Sequence, residues 1–369
     1  MSPLPIGLPL PTALYTTLFV LTLALSMTFA NYVLGGALWL CARALLGRGT
    51  QKAEVKPSAI DATLRDWLTF MLSGAITAGV APLLFVQVLY QREFYTANLL
   101  LWYWWLAMIP VLIAAFYALY AVKTRYVSAR PLVMGLTTLF AAACFVYVAW
   151  AWTHNHLLST ESQEVWSATY AARSSGPTPP GQLARLMFFV FASVPGMAVI
   201  VAWQLRDQER AAGALRQIAE RRILSAAAAI SLVFSIAFAL LYSRLDPVAR
   251  SAAASDPSLW WLILALLGAL GQLVTWHRIF RAPAFSGRLL VHVTLYYAFW
   301  LIGLLFVREV IRRSLFAPET LAALQEKHSE IFETTDHSAM VVFFVFAALT
   351  LGLMTWIVRT VRRSVAAAR

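Results

Sequence analysis

PLLFVQVLYQREFYTANLLLWYWW, residues 82–105, sets one polar cluster, Gln91, Arg92 and Glu93, between two apolar runs. About 20 mostly apolar residues suffice for a helix to cross the roughly 30 Å hydrocarbon core of a bilayer. The run before Gln91 reaches back to residue 67, and the run after it continues from 99 to 121. The segment therefore reads as the joint between two membrane helices. Trp102, Tyr103, Trp104 and Trp105, just past the polar cluster, match the aromatic belt found at headgroup depth.

The same pattern recurs along the chain. Apolar stretches near 14–42, 67–91, 99–121, 131–153, 186–205, 223–243, 258–277, 289–307 and 338–358 are each long enough to span, which predicts an all-α membrane protein of nine transmembrane helices in one domain. Composition agrees, since 60% of residues are hydrophobic and 12% charged, against about a quarter charged in soluble domains. The net charge of +12 finds its explanation in topology rather than in nucleic acid, because no soluble domain offers a basic face. Loops 43–66, 122–130, 206–222, 278–288 and 359–369 together hold 20 Lys and Arg and 6 Asp and Glu; the rest of the chain holds 9 and 11. The positive-inside rule then places the N-terminus outside and the C-terminus in the cytoplasm. The apolar run near the N-terminus is too long for a signal-peptide core and lacks a preceding positive charge, so it reads as the first span.

The two longest outer segments are 154–185, with the turn-rich Ser174-Ser175-Gly176-Pro177-Thr178-Pro179-Pro180-Gly181, and 308–337, in which Ala317-Pro318-Glu319 predicts a helix start ahead of Leu321, Leu324, Lys327 and Ile331. The inner stretch Arg206 to Arg222 reads as a solvated, charged helix continuation, with Asp207, Glu209 and Arg210 close enough to pair.

None of the nine apolar cores contains Asp, Glu, Lys or Arg, which argues against a proton relay or an ion-coupled transporter. No HExxH, carboxylate cluster or CxxC appears, so the sequence nominates no catalytic residue and no metal ligand; Cys41 and Cys144 read as buried structural thiols. Of six histidines, His154, His156, His328 and His337 fall in outer loops or at a helix mouth and read as solvated. His277 and His292 flank the inner loop 278–288 and are the candidate haem ligands, although adjacent helices about 8–10 Å apart leave little room for two imidazoles around one iron. A b-type haem is therefore not the expected cofactor. The polar cluster and its aromatic neighbours, Gln91, Arg92, Glu93, Trp102 and Tyr103, are instead candidates to hold quinol, since amide, guanidinium and carboxylate groups can bind hydroxyls beside ring surfaces. Arg308, Glu309, Arg312 and Arg313, at the exit of the eighth span, are candidates to bind a partner protein.

The first helix LFVLTLALSMTFANYVLGGALWL (18–40), the joint PLLFVQVLYQREFYTANLLL (82–101) and the exit FVREVIRRSLF (306–316), with nine spans, resemble the large subunit of cytochrome bd quinol oxidases. They resemble still more the divergent relatives that accompany c-type cytochromes. The resemblance implies a subunit of a respiratory electron-transfer complex in a bacterial inner membrane, next to cytochrome partners and in contact with quinol. Where that family carries a haem-ligating histidine on its first helix, residues 14–42 here have none. The fifth helix opens Arg185-Leu186-Met187-Phe188-Phe189-Val190-Phe191, again without one, and the GRQPW-type quinol motif and the membrane glutamates of the oxygen-reducing centre are missing. The resemblance thus implies a scaffold that has lost that centre. The competing expectation is a transporter or channel for a neutral or apolar solute, with Asn31, Gln87, Gln204 and Gln272 along its path.

Overall fold

A computed structural model describes residues 8–46, 58–178, 181–208 and 214–334, with scattered helical positions between 341 and 360. The described residues form helices α1 (Leu10–Leu46), α2 (Ala59–Leu89), α3 (Gln91–Leu106), α4 (Met108–Val122), α5 (Arg125–Ser128), α6 (Pro131–Leu158), α7 (Gln163–Ala172), α8 (Gln182–Gln208), α9 (Ala214–Leu245), α10 (Pro247–Ala253), α11 (Asp256–Arg281), α12 (Gly287–Ser314) and α13 (Pro318–Thr334). Eight stretches are long and apolar enough to cross a membrane, with α3 and α4 counted as one. They match the first eight expected spans; most of the ninth, 338–358, lies outside the described residues, as does His337.

Large apolar side chains on the bundle's outside, among them Leu25, Leu84, Leu99, Ile109 and Leu270, are exposed, as a lipid-facing surface requires. The interior is held by close approach of small residues, the usual basis of helix packing in bilayers. α1 runs through the middle, buried at every position from Asn31 to Ala37 and packed on α2, α6, α8 and α12. A Cβ on Gly35 would sit 2.7 Å from the Ser193 carbonyl oxygen of α8. The α11–α12 pair is tighter still, since a Cβ on Gly268 would sit 2.4 Å from the Trp300 backbone nitrogen.

The joint between the second and third spans is a single-residue turn. Tyr90 alone separates α2 from α3, and Gln91, Arg92 and Glu93 form the first turn of α3. The helix expected over 99–121 is broken, because Trp102 adopts φ 33°, a left-handed value uncommon for a bulky residue, and the chain restarts at Met108 as α4. Tyr147 of α6 serves the break by donating to the Trp104 carbonyl at 2.7 Å. A backbone group released from a helix needs such a partner in lipid.

Two loops expected to be solvated are in part structural. α6 runs one turn past the apolar core, to Leu158, and its residues Thr153 to Leu158 are buried. Arg221, placed by sequence on a solvated face, is 1% exposed. Its Nε donates to the Ile279 carbonyl at 3.1 Å and its Nη1 to that of Pro283 at 2.9 Å, with Nη2 donating to Ala282. It thus satisfies carbonyls left open where α11 ends. Asp207, Glu209 and Arg210 have no described side chains. The helix expected from Ala317-Pro318-Glu319 is present as α13, with Leu324 and His328 turned inward.

Candidate functional site

At the end of the bundle where α2, α6 and α12 finish and α1 and α8 begin, polar side chains gather inside. Arg308 and Arg312 lie one turn apart on α12 and so share a face, as do Glu309 and Arg313 one position on. Glu309, 1% exposed, accepts a hydrogen bond from the Tyr90 hydroxyl and lies 3.8 Å from both Arg308 and Arg313. Arg313 Nε also donates to the Tyr90 oxygen at 3.2 Å, and its Nη2 donates to Thr16 of α1. Arg312, 4% exposed, donates to Ser159 Oγ at 3.1 Å and lies over the Tyr90 ring. Phe316 stacks on that ring at 5.4 Å.

These arginines and Glu309 were expected on a partner-facing surface. They are instead largely enclosed, because α12 continues to Ser314 and α13 returns across the end of the bundle toward α1. His328 on α13 seals this cover, with Nδ1 3.1 Å from Thr12 Oγ1 and Nε2 3.0 Å from the Leu89 carbonyl. Burial holds its imidazole below the usual histidine range, with Arg313 and Lys327 acting in the same direction against its bonds to the Leu89 and Val88 carbonyls.

His154 and His156, read from sequence as solvated, are 2% and 4% exposed. His154 binds the Ser175 carbonyl at 2.6 Å and Gln182 of α8. His156 sits between Trp152, 4.7 Å away, and the edge of Phe94, and its Nδ1 is 3.3 Å from Arg308 Nη2. Arg308 can only donate, so His156 Nδ1 accepts and, in a neutral ring, Nε2 carries the proton.

Beside this cluster lies a cavity of about 440 Å³. Its walls are mostly apolar, from Phe188, Leu301 and Leu305 among others, and they reach Leu240 and Leu266 on the exposed surface. Its polar lining includes His156, Arg185, Arg308 and Arg312, and neither Asp nor Glu lines it. This volume falls in the range of small-ligand pockets.

The other sequence candidates lie elsewhere. Gln91 and Arg92 are exposed, Gln91 accepting from Lys327 Nζ at 2.5 Å. Glu93 is 7% exposed with Oε2 unpartnered, while Trp102 and Tyr103 are 67% and 50% exposed. None of the five lines the cavity. His277 and His292 are exposed on α11 and α12. Cys41 and Cys144 are buried free thiols, and no metal-holding cluster of His, Cys, Asp or Glu occurs among the described residues. Of the amides set along the expected solute path, Asn31 donates to Tyr297 at 3.0 Å and Gln204 accepts from Tyr32 at 3.0 Å. Gln272 is buried with both amide atoms unpartnered, and Gln87 is half-buried.

Sequence reasoning missed His156, Arg185 and the inward aim of Arg308 and Arg312. A usable signal was present, since Trp152 and His156 stand four residues apart, as do Arg308 and Arg312 on a helix whose apolar face runs on to Leu315. The sequence matches no protein-family model and none of the curated proteins.

Proposed function

We propose that this multi-pass membrane protein is a subunit of a bacterial respiratory electron-transfer complex, a scaffold for cytochrome partners that also contacts quinol. In this reading it lies in the inner membrane with nine spans, its N-terminus outside and its C-terminus in the cytoplasm. The cavity edged by His156, Arg308 and Arg312 carries the proposal. It gives a lipid-soluble molecule an apolar chamber open toward the bilayer and a polar end at which ring oxygens can be held. Quinol reaches such a site from within the membrane, which accounts for a pocket whose mouth is Leu240 and Leu266.

The proposed quinol site is therefore the His156 cavity, which Gln91, Arg92 and Glu93 do not line. The test is quinol-dependent electron transfer in membranes holding the assembled complex, at matched protein levels. His156→Gln and Arg308→Gln are expected to lower the rate at least tenfold, whereas Arg92→Ala leaves it within about twofold. Unaltered rates in both cavity variants would remove the quinol reading and leave the scaffold. Failure of the chain to co-purify with any cytochrome-bearing subunit would remove the scaffold as well.

A further inference from the structure

We infer that the cavity binds an anionic amphiphile, its acidic head held by Arg308, Arg312 and His156 and its apolar tail leaving past Leu240 and Leu266. This rests on the reading that the cavity is a ligand site, and it specifies the ligand's chemistry.

The first observation is a charge imbalance. Arg185, Arg308, Arg312 and Arg313 converge inside this end of the bundle, and the exposed Arg250 also lines the cavity. Among the described residues, the carboxylates in ion-pair reach of them are Asp246, 3.9 Å from Arg185, and Glu309, 3.8 Å from Arg308 and Arg313. Four guanidiniums against two carboxylates leave two positive charges over. Arg312 is the most enclosed of the four at 4% exposure, makes no ion pair of its own, and is met by a ring and one hydroxyl. A buried charge without a counterion is costly, and in a bilayer water offers little relief.

The second observation is the polarity of the unused groups. His156 Nε2 and Arg312 Nε and Nη1 have no hydrogen-bond partner, and Arg308 Nη1 has none beyond its 3.8 Å ion pair with Glu309. Guanidinium nitrogens only donate, and His156 Nε2 carries the proton because Nδ1 accepts from Arg308. All four unsatisfied atoms on these cavity-lining residues are therefore donors. A head group that only donates, such as an ammonium, leaves them unsatisfied, and an alcohol oxygen accepts but brings no negative charge. A carboxylate, a phosphate or an ionised ring hydroxyl satisfies them and supplies the missing negative charge, in the geometry that favours guanidinium pairing with planar or branched oxyanions.

The third observation is shape. At about 440 Å³ the cavity holds a head group and a short length of chain, and its remaining walls are apolar up to the exposed Leu240 and Leu266. An inorganic anion would leave those walls empty. A head on a long tail fills them and continues into the bilayer.

The test uses the purified full chain in nanodiscs of phosphatidylcholine, with a long-chain fatty acid brominated near its carboxyl group and its methyl ester, at a pH where the acid is ionised. The quenching lost in Trp300→Phe relative to the parent reports occupancy, because Trp300 lines the cavity whereas the exposed Trp102 and Trp260 are quenched from the bilayer. The acid is expected to half-saturate at a concentration at least roughly tenfold below the ester. Arg312→Gln should bring the two together. Leu266→Trp, which narrows the mouth from the lipid side, should weaken both and serves if the arginine variant does not fold. Competition by phosphatidylglycerol would identify a phospholipid as the occupant; competition by an ionisable hydroxyquinone but not by phosphatidylglycerol would identify a lipophilic acid. Equal binding of acid and ester by the unaltered protein overturns the inference and leaves a neutral quinol site intact. Selective acid binding without quinol-dependent turnover upholds the inference and removes the quinol reading.

Discussion

Arg312 lies over the ring of Tyr90, its guanidinium carbon 4.0 Å from the ring centroid, while the Tyr90 hydroxyl on the same ring donates to Glu309. One residue in the turn between α2 and α3 thus organises three side chains of α12. Tyr90→Phe keeps the ring under Arg312 and removes the hydroxyl, so Glu309 Oε1 and Arg313 Nε each lose a partner. The expected cost is about 1–3 kcal/mol. Tyr90→Leu removes the cation–π contact too and should cost at least about 0.5 kcal/mol more. Thermal unfolding in mild detergent measures both, and a Phe variant as stable as the parent would show that the hydroxyl organises nothing.

Glu309 is the carboxylate that Arg308 and Arg313 share. Glu309→Gln is expected to destabilise the bundle by about 3–5 kcal/mol, the range for stranding a buried charge. Adding Arg313→Gln removes one of the stranded cations, so the double variant should be less damaged than the sum of the two single variants. Strict additivity in this double-mutant cycle would mean that the 3.8 Å pair does not interact.

Most of the membrane architecture was legible in sequence, and the site was not. Length and hydropathy alone decide a span, which is why the first eight spans coincide with helices. The ends of helices are decided by packing. Thr153-His154-Asn155-His156 looked like loop because it is polar, yet α6 carries it one turn into the interior, where Trp152, Phe94, Ser175 and Arg308 receive it. Arg308 to Arg313 looked like a surface for the mirror-image reason. Charge argued for solvent, and only the return of α13 over α1 and the Leu89 carbonyl closes them in. The positive φ at Trp102 had no local signal, since no Pro or Gly stands there, whereas Pro110, in the first turn of α4, marks the restart that follows.

The α11–α12 contact depends on backbones that touch where glycine stands. A Cβ at residue 268 would meet backbone atoms of Trp300 and Tyr296 at 2.4 and 2.7 Å, and backbone yields only if the whole helix shifts. Gly268→Ala is therefore expected to cost about 1–3 kcal/mol, as other overpacked substitutions do. Gly79→Ala on α2 is the matched control, because its Cβ would meet one atom, Ser26 Oγ, at 3.5 Å. There the better helix propensity of alanine should make the change neutral or stabilising by up to about 1 kcal/mol. Chemical or thermal unfolding of the two variants side by side is the measurement, and equal loss in both would show that the close approach is not what holds the pair.

The cover formed by α13 should respond to pH through His328. Its imidazole is held below the ordinary histidine value by burial, with Arg313 and Lys327 adding to the effect. When α13 lifts away, the ring returns to its ordinary value of about 6.5. The lifted state therefore binds the proton more readily, and docking weakens as pH falls below about 6.5, with the full penalty reached only below the depressed value. Above about 6.5 the ring is neutral in both states and docking is independent of its protonation. In that neutral form one ring nitrogen donates to the Leu89 carbonyl and the other accepts from the Thr12 hydroxyl, the one arrangement that satisfies all three groups. Hydrogen exchange of residues 318–334, corrected for intrinsic rates, should quicken between pH 7 and pH 5.5 while that of 218–245, which holds no histidine, does not. His328→Gln keeps a donor and an acceptor and cannot take up the proton, so exchange in that variant should be insensitive to pH over the same interval. Acceleration of equal size in the parent and the variant would place the pH response elsewhere than His328.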